Sequence, residues 1–310
     1  MHDFTDPAPA GSIQEVTMLI APKYTLQPAS FLRLWFIFCV CVVVSMAPLT
    51  ARADITLTFG TYAADKPTVT VKKYRPFLTF LSNRLGEALG EKVVVRMTVA
   101  KEYQEGINQL ASGEVDFARF GPASYVHVMN QNPDIQIVAM ESKKGRKRFK
   151  GVIVVHRDST ITDLSDLSGL SFAFGDELST IGRYLAQSHL LEAGIDSDDL
   201  HTYEYLGRHD LVGEAVGAGK FTAGALKEST YKKLISKGVP IRILTSFDNV
   251  TKPWLASSAL PEHVLLAMRQ IMLSSENEEI VRRVSKNGFL EGADSDYDLI
   301  RDAMEQSQAF

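Results

Sequence analysis

Cysteine is nearly absent from this chain. Only Cys39 and Cys41 occur in 310 residues, and both sit inside one apolar run. If that run is a removable leader, the remaining protein has no thiol, which excludes disulfides, thiol catalysis and cysteine-ligated metals. Positive charge is not in excess either. The formal net charge is -4, whereas nucleic-acid binders normally carry a basic footprint, so no nucleic-acid partner is expected. Catalytic signatures are missing as well: there is no G-x-S-x-G elbow and no H-E-x-x-H metal pair. Residues 213–222 superficially suggest a phosphate loop, but Glu214 stands where the first glycine is needed, and Phe221 stands where a Ser or Thr should follow the lysine. The seven histidines are scattered, and His2 precedes the apolar run. No cofactor, metal or catalytic residue is expected.

The only long apolar run spans residues 34–46, preceded by Arg33 and followed by Ala51-Arg-Ala53. Charged, apolar, then small-x-small is the order of a secretory signal peptide. As a helix the run would reach about 20 Å, against a bilayer core of about 30 Å. Cleavage after Ala53 is therefore predicted over anchoring, with residues 1–53 as leader and the mature protein in the periplasm. Residues 1–29 are long for such a leader, and Met18 is a second candidate start. The leader holds three basic residues (Lys23, Arg33, Arg52) and three acidic ones (Asp3, Asp6, Glu15), so its removal leaves the net charge unchanged.

Apolar residues make up 45% of the chain and charged residues 23%, ordinary for a globular protein. Strand-like and helix-like segments alternate. Residues 55–60, 93–99, 115–119, 135–140 and 151–156 read as strands. Tyr74, Phe77, Leu78, Leu81, Leu85 and Leu89 recur at helical spacing, with Pro76 placed in the first turn. Helices are also predicted over 101–111 and 122–129. The alternation then repeats, with strands at 170–174, 201–205, 222–226 and 241–244 and helices at 179–191, 210–216 and 228–235. Such alternation predicts α/β architecture with mostly parallel sheets flanked by helices. Two lobes are expected, one from 54–152 plus 248–310 and the other from 153–247, with a helical tail packed on the first.

The most informative stretch is Phe174-Gly-Asp-Glu-Leu-Ser-Thr-Ile-Gly182. It sets two hydroxyls, Ser179 and Thr180, at the first turn of a predicted helix. Unpaired backbone N–H groups point outward there, and the helix dipole favours negative charge. The pair reads either as a simple cap or as an oxyanion site. Arg119 ends a buried-looking strand, where sites of α/β sheets tend to lie, and its planar fork suits oxyanions. His209 opens a helix, with Arg208 as the competing donor. Tyr103, in the first turn of its helix, is either core or a cleft wall with a donor. Phe120 and Phe149 are packing residues or cleft walls. Six basic residues between Lys143 and Lys150 form a solvated loop or steer anions toward the cleft.

Together these segments resemble the periplasmic phosphate/phosphite/phosphonate-binding proteins of ABC importers. The matching residues are Leu57-Thr-Phe-Gly60, the Tyr103 segment, Gly113-Glu-Val-Asp-Phe-Ala-Arg-Phe-Gly-Pro122, Ile161-Thr-Asp-Leu-Ser-Asp-Leu-Ser-Gly-Leu170 and the Ser-Thr turn with Gly182. The resemblance covers residues 55–290. It implies a type II periplasmic-binding fold, whose two lobes close on a phosphorus oxyanion held in the cleft between them. The implied ligand positions are Ser179, Thr180, His209 and Tyr103, with Phe149 beside the crossover strand; Gly182, Arg119 and Phe120 join the candidate site from the reading of the residues themselves. An inner-membrane permease is the implied partner, and the protein is expected as a monomer. Ile181 and Lys227 stand where phosphonate binders often have a hydroxyl and an acid, which argues against an aminoalkyl phosphonate. Two other uses of the same cleft remain open: a ligand sensor for a signalling receptor, and a secreted enzyme acting on a phosphorus ester.

Overall fold

The computed structural model describes residues 54–64, 66–275 and 278–310. The predicted leader, its two cysteines and the cleavage point after Ala53 lie outside them. Among the described residues no helix is long and apolar enough to cross a membrane.

Eleven strands form two sheets. The first has the order β11-β4-β10-β3-β1-β2, from β1 (Ile55–Tyr62), β2 (Val93–Ala100), β3 (Phe117–Arg119), β4 (Gln136–Glu141), β10 (Pro253–Ala256) and β11 (Phe289–Leu290). The second has the order β7-β6-β8-β5-β9, from β5 (Arg148–His156), β6 (Ser171–Phe174), β7 (Thr202–Tyr205), β8 (Ala223–Lys227) and β9 (Ile241–Val250). β1 runs parallel to β2 and β3, and β6 runs parallel to β7 and β8. The strands by which the chain passes between sheets pair antiparallel: β5 with β8 and β9, and β10 with β3 and β4.

Helix α1 (Pro67–Leu89) differs from expectation. Pro76 lies in its interior, because the helix starts at Pro67. The β-branched run Thr68-Val-Thr-Val71 hides these first turns in the sequence. Pro67, in the opening turn, forfeits only an N–H that would be unpaired anyway. Pro76 forfeits a real helix bond, offset by burial of Tyr74, Phe77, Leu78, Leu81 and Leu85. Gly90 ends the helix in the left-handed conformation, φ 66°, and its N–H bonds to Gly86 O.

Trp254 of β10 is fully buried under the first sheet. It stacks on Phe59 at 5.2 Å and meets Phe77 and Phe289 edge-on at 5.1 and 5.8 Å. The tail divides. Helices α7 (Glu262–Ser274) and α8 (Glu279–Val284) pack on α1 of the first sheet. Helix α9 (Asp298–Gln306) instead lies against both α3 (Pro122–Gln131) and α4 (Leu185–Glu192), so the tail is not confined to the first lobe. There Ser188 Oγ bonds to Gln306 Oε1 at 2.5 Å, and the Phe310 ring meets Phe174 edge-on at 5.5 Å. The basic run is part turn and part strand, since Arg148, Phe149 and Lys150 already belong to β5.

Candidate functional site

The carboxyl ends of β1, β3 and β8 point into a cavity of about 390 Å3 between the two sheets. Residues at or near the start of six helices line it. They are Val69 and Lys73 of α1, Tyr103 of α2 (Tyr103–Ala111), Gly121 and Pro122 at α3, and Ser179 and Thr180 before α4. His209 of α5 (His209–Gly217) and Lys227 and Ser229 at α6 (Glu228–Ile235) complete the set. Helix N-termini present unpaired N–H groups and the positive end of the dipole. Among the described residues, six that line it are Lys or Arg (Lys73, Arg119, Lys227, Lys233, Lys252, Arg283), and none is Asp or Glu. Such a lining is chemically suited to anions.

The Ser-Thr turn is built by glycine contact. Gly175 N–H bonds to Gly182 O at 2.8 Å, closing the loop between them. A Cβ on Gly182 would stand 2.8 Å from Gly175 Cα, so the two backbones cross where no side chain fits. The chain then makes one π-helical turn, Thr180–Tyr184, before α4. Ser179 Oγ accepts from Gly182 N–H at 3.0 Å. Thr180 Oγ1 accepts from Ala123 N–H at 2.8 Å, linking the second sheet's loop to the start of α3. Each hydroxyl thus spends a lone pair on backbone and keeps its proton for the cavity. A cap and a hydroxyl donor facing the cavity coexist in this turn.

Six of the eight residues singled out from sequence line the cavity: Ser179, Thr180, His209, Tyr103, Arg119 and Phe149. Two do not. Gly182 faces Gly175 and supplies the cap bond, so its role is positional. Phe120 is fully buried behind Tyr62, ring centroids 5.2 Å apart. Tyr62 takes the wall position instead. It stacks on Tyr103 at 3.7 Å, and its hydroxyl accepts from Gly121 N–H at 2.6 Å and bonds Ser124 Oγ at 2.8 Å. Between the two helix-opening candidates, His209 faces the cavity, while Arg208 is held by both carboxylate oxygens of Asp210 at 3.0 and 3.2 Å. Arg119 is held likewise: Glu141 accepts from its Nε at 2.8 Å and its Nη2 at 3.0 Å.

A family model described as "ABC transporter, phosphonate, periplasmic substrate-binding protein" matches residues 59–297. The chain belongs to this family. A curated relative is a probable phosphite-binding protein of an ABC transporter from Prochlorococcus marinus (strain MIT 9301), 27% identical over 169 residues, 52% of this chain. The match spans about half (54%) of that relative's length. A phosphate-import protein of Mycolicibacterium smegmatis is 23% identical, with 79% of this chain and 84% of that protein covered. Among solved structures, the Prochlorococcus marinus PhnD1 protein in complex with methylphosphonate aligns with a TM-score of 0.74 at 21% identity, covering 82% of this chain and 99% of that one. A binding-protein component of a phosphonate ABC transporter from Pseudomonas aeruginosa aligns with a TM-score of 0.71 at 16% identity, covering 83% and 87%. The fold of this phosphonate-binding family member is thus the two-lobed type II periplasmic-binding fold.

Cavity residues of this family member that sequence reasoning missed include, besides Tyr62, Lys73, Asn249 and Lys252. Lys73 sits one turn inside α1, its Nζ 5.0 Å from the Tyr74 ring centroid. Asn249, fully buried on β9, pairs in register with Phe149 of β5. Lys252 lies between β9 and β10, its Nζ 4.4 Å above the Phe149 ring. Burial, reinforced by Arg119 and Lys227, holds the Lys252 ammonium well below the usual lysine range. Asn249 was visible as a lone amide between Phe247 and Val250. Lys252 carries no local signal, because its position depends on the crossover.

Asp176, in the loop before Ser179, is pushed up to about 6, chiefly by burial, with Glu177 and Glu102 adding repulsion. Its unfolded counterpart ionises near 4. Between those values the unfolded chain has lost a proton that the folded chain keeps, so stability falls as pH rises from about 4 to 6. Asp176→Asn, which still offers Leu178 N–H an acceptor, should remove this slope and raise stability at pH 7 by about 1–2 kcal/mol, after allowance for solvent screening. Urea unfolding at several pH values measures it, and an unchanged slope would refute the assignment.

Proposed function

We propose that this protein is the periplasmic solute receptor of an ABC importer, and that it captures a phosphorus oxyanion without transforming it. One observation carries the reading: hydroxyls and six helix openings converge on a cavity lined, among the described residues, by cations and by no carboxylate. A tetrahedral oxyanion offers only acceptors, and this wall offers donors. Micromolar affinity requires about -8 kcal/mol, and hydrogen bonds to charged groups supply about 1.5–3 kcal/mol each. A few such bonds suffice after the cost of closing the lobes.

The relatives named for phosphite binding, phosphate import and methylphosphonate support this class of ligand. In this reading the lobes are residues 54–152 with 248–310, and 153–247. The crossover strands β5 and β9 act as the hinge. The protein works as a monomer, exported by a leader cut after Ala53, and presents its closed form to a membrane permease. It takes no nucleic acid. Calorimetry of the purified protein against phosphate, phosphite and methylphosphonate tests the reading. At least one should bind with micromolar or better affinity; binding of none would overturn it. N-terminal sequencing of the periplasmic fraction should begin at Asp54.

A further inference from the structure

The charge around the cavity exceeds what one tetrahedral anion at the Ser-Thr turn can use. Arg119 is already answered by Glu141, and Arg283, at the mouth, by Glu279 at 3.0 Å. Lys252 lies against the crossover strands, and Lys227 stands near it. Lys227, 8% exposed, ends β8 and pairs in register with Gly151 of β5. Lys252 lies over Phe149 of the same strand and makes no ion pair among the described residues. Buried charge is normally paired, so an ammonium packed on a ring face beside a second lysine lacks its counter-charge.

Asn249 adds an independent sign. Its side chain is fully buried and lines the cavity, and neither amide atom has a hydrogen-bond partner. A buried amide left without partners is destabilising, and a ligand group would relieve it. Space agrees with charge. About 390 Å3 lies in the range of sites for organic ligands and exceeds what an inorganic oxyanion fills.

Resting on the oxyanion reading above, we infer that the solute carries a second anionic group, a carboxylate or a further phosphoryl, and that Lys252, Lys227 and Asn249 hold it. Solutes with a free amine are disfavoured, because among the described residues no lining carboxylate meets the ammonium. The Lys252 ammonium, held low by burial, Arg119, Lys227 and Lys73 and favoured only by Glu141, is restored when an anion arrives beside it.

The test is calorimetry with methylphosphonate, 2-aminoethylphosphonate, phosphonoacetate and methylenediphosphonate. Phosphonoacetate or methylenediphosphonate should bind at least about 10-fold tighter than methylphosphonate, and 2-aminoethylphosphonate more weakly than either. The better of the first two identifies the second group. Lys252→Met should shrink that preference to below about threefold, Asn249→Leu should reduce it, and Lys252→Arg should keep it. Circular dichroism identifies a variant that fails to fold, and the ligand ranking of the unmodified protein decides the matter in any case. Equal or tighter binding of methylphosphonate overturns the inference and leaves the oxyanion reading standing. If none of the four compounds nor phosphate nor phosphite binds, both fall.

Discussion

Thr180→Ala should weaken binding of the preferred phosphorus oxyanion by about 1.5–3 kcal/mol, a 10- to 100-fold loss read by calorimetry. Two effects add. The variant removes a donor aimed at the ligand, and it strips the Ala123 N–H of its acceptor. That second bond joins the loop of one sheet to the start of α3 beside the other. Its loss therefore weakens the closed arrangement that traps ligand, as well as the contact itself. Thr180→Ser should restore most of the affinity, because the hydroxyl can serve both partners. Ser179→Ala is expected to act more locally, since its oxygen caps its own turn through Gly182 N–H. An unchanged dissociation constant in Thr180→Ala would remove this hydroxyl from the site.

Glu141→Ala should have the largest effect on stability, a loss of about 3–5 kcal/mol in urea unfolding. The Arg119 and Glu141 side chains are 13% and 15% exposed, and the bond between them is bidentate. Removing the carboxylate strands a guanidinium in the cavity wall. The same change should tighten anion binding, because the ligand becomes the only counter-charge for Arg119. Arg119, Lys73 and Lys252 draw the Glu141 carboxyl down to about 2, against burial that opposes ionisation. In the unfolded chain it titrates near 4.3. The pair's contribution is therefore complete above about pH 4.5 and disappears as pH falls toward 2. The variant should lose the corresponding part of the acid-unfolding slope. Stability equal to that of the unmodified protein would show that the pair contributes nothing net.

How much of this was legible depends on the range of the interaction. The first sheet's parallel strands and their helices follow from local periodicity, and the Ser-Thr turn from a run with glycine at each end. Both need only neighbours in sequence. β10 does not announce itself: Pro253-Trp-Leu-Ala256 has four apolar residues and no alternation, and it becomes a strand because β3 and β4 flank it. Arg119 was visible as a charge at a strand end, yet Glu141 lies 22 residues away and pairs with it across β10. Phe120 packs behind Tyr62, which takes the wall, and the sequence could not order the two because stacking behind a wall is a tertiary fact. Lys252 and Asn249 entered the site only through the crossover between sheets.

The insertion of β10 between β3 and β4 bears on how the protein is made. On the ribosome, β4 is complete at Glu141, but its central neighbour begins only at Pro253, about 110 residues later. At roughly 5–20 residues per second this is an interval of about 6–20 s. Throughout it the nascent first sheet has two unpaired edges and lacks Trp254 beneath it. Such edges attract other chains, so the first sheet is exposed to misassociation until the chain has returned and β10 is in place.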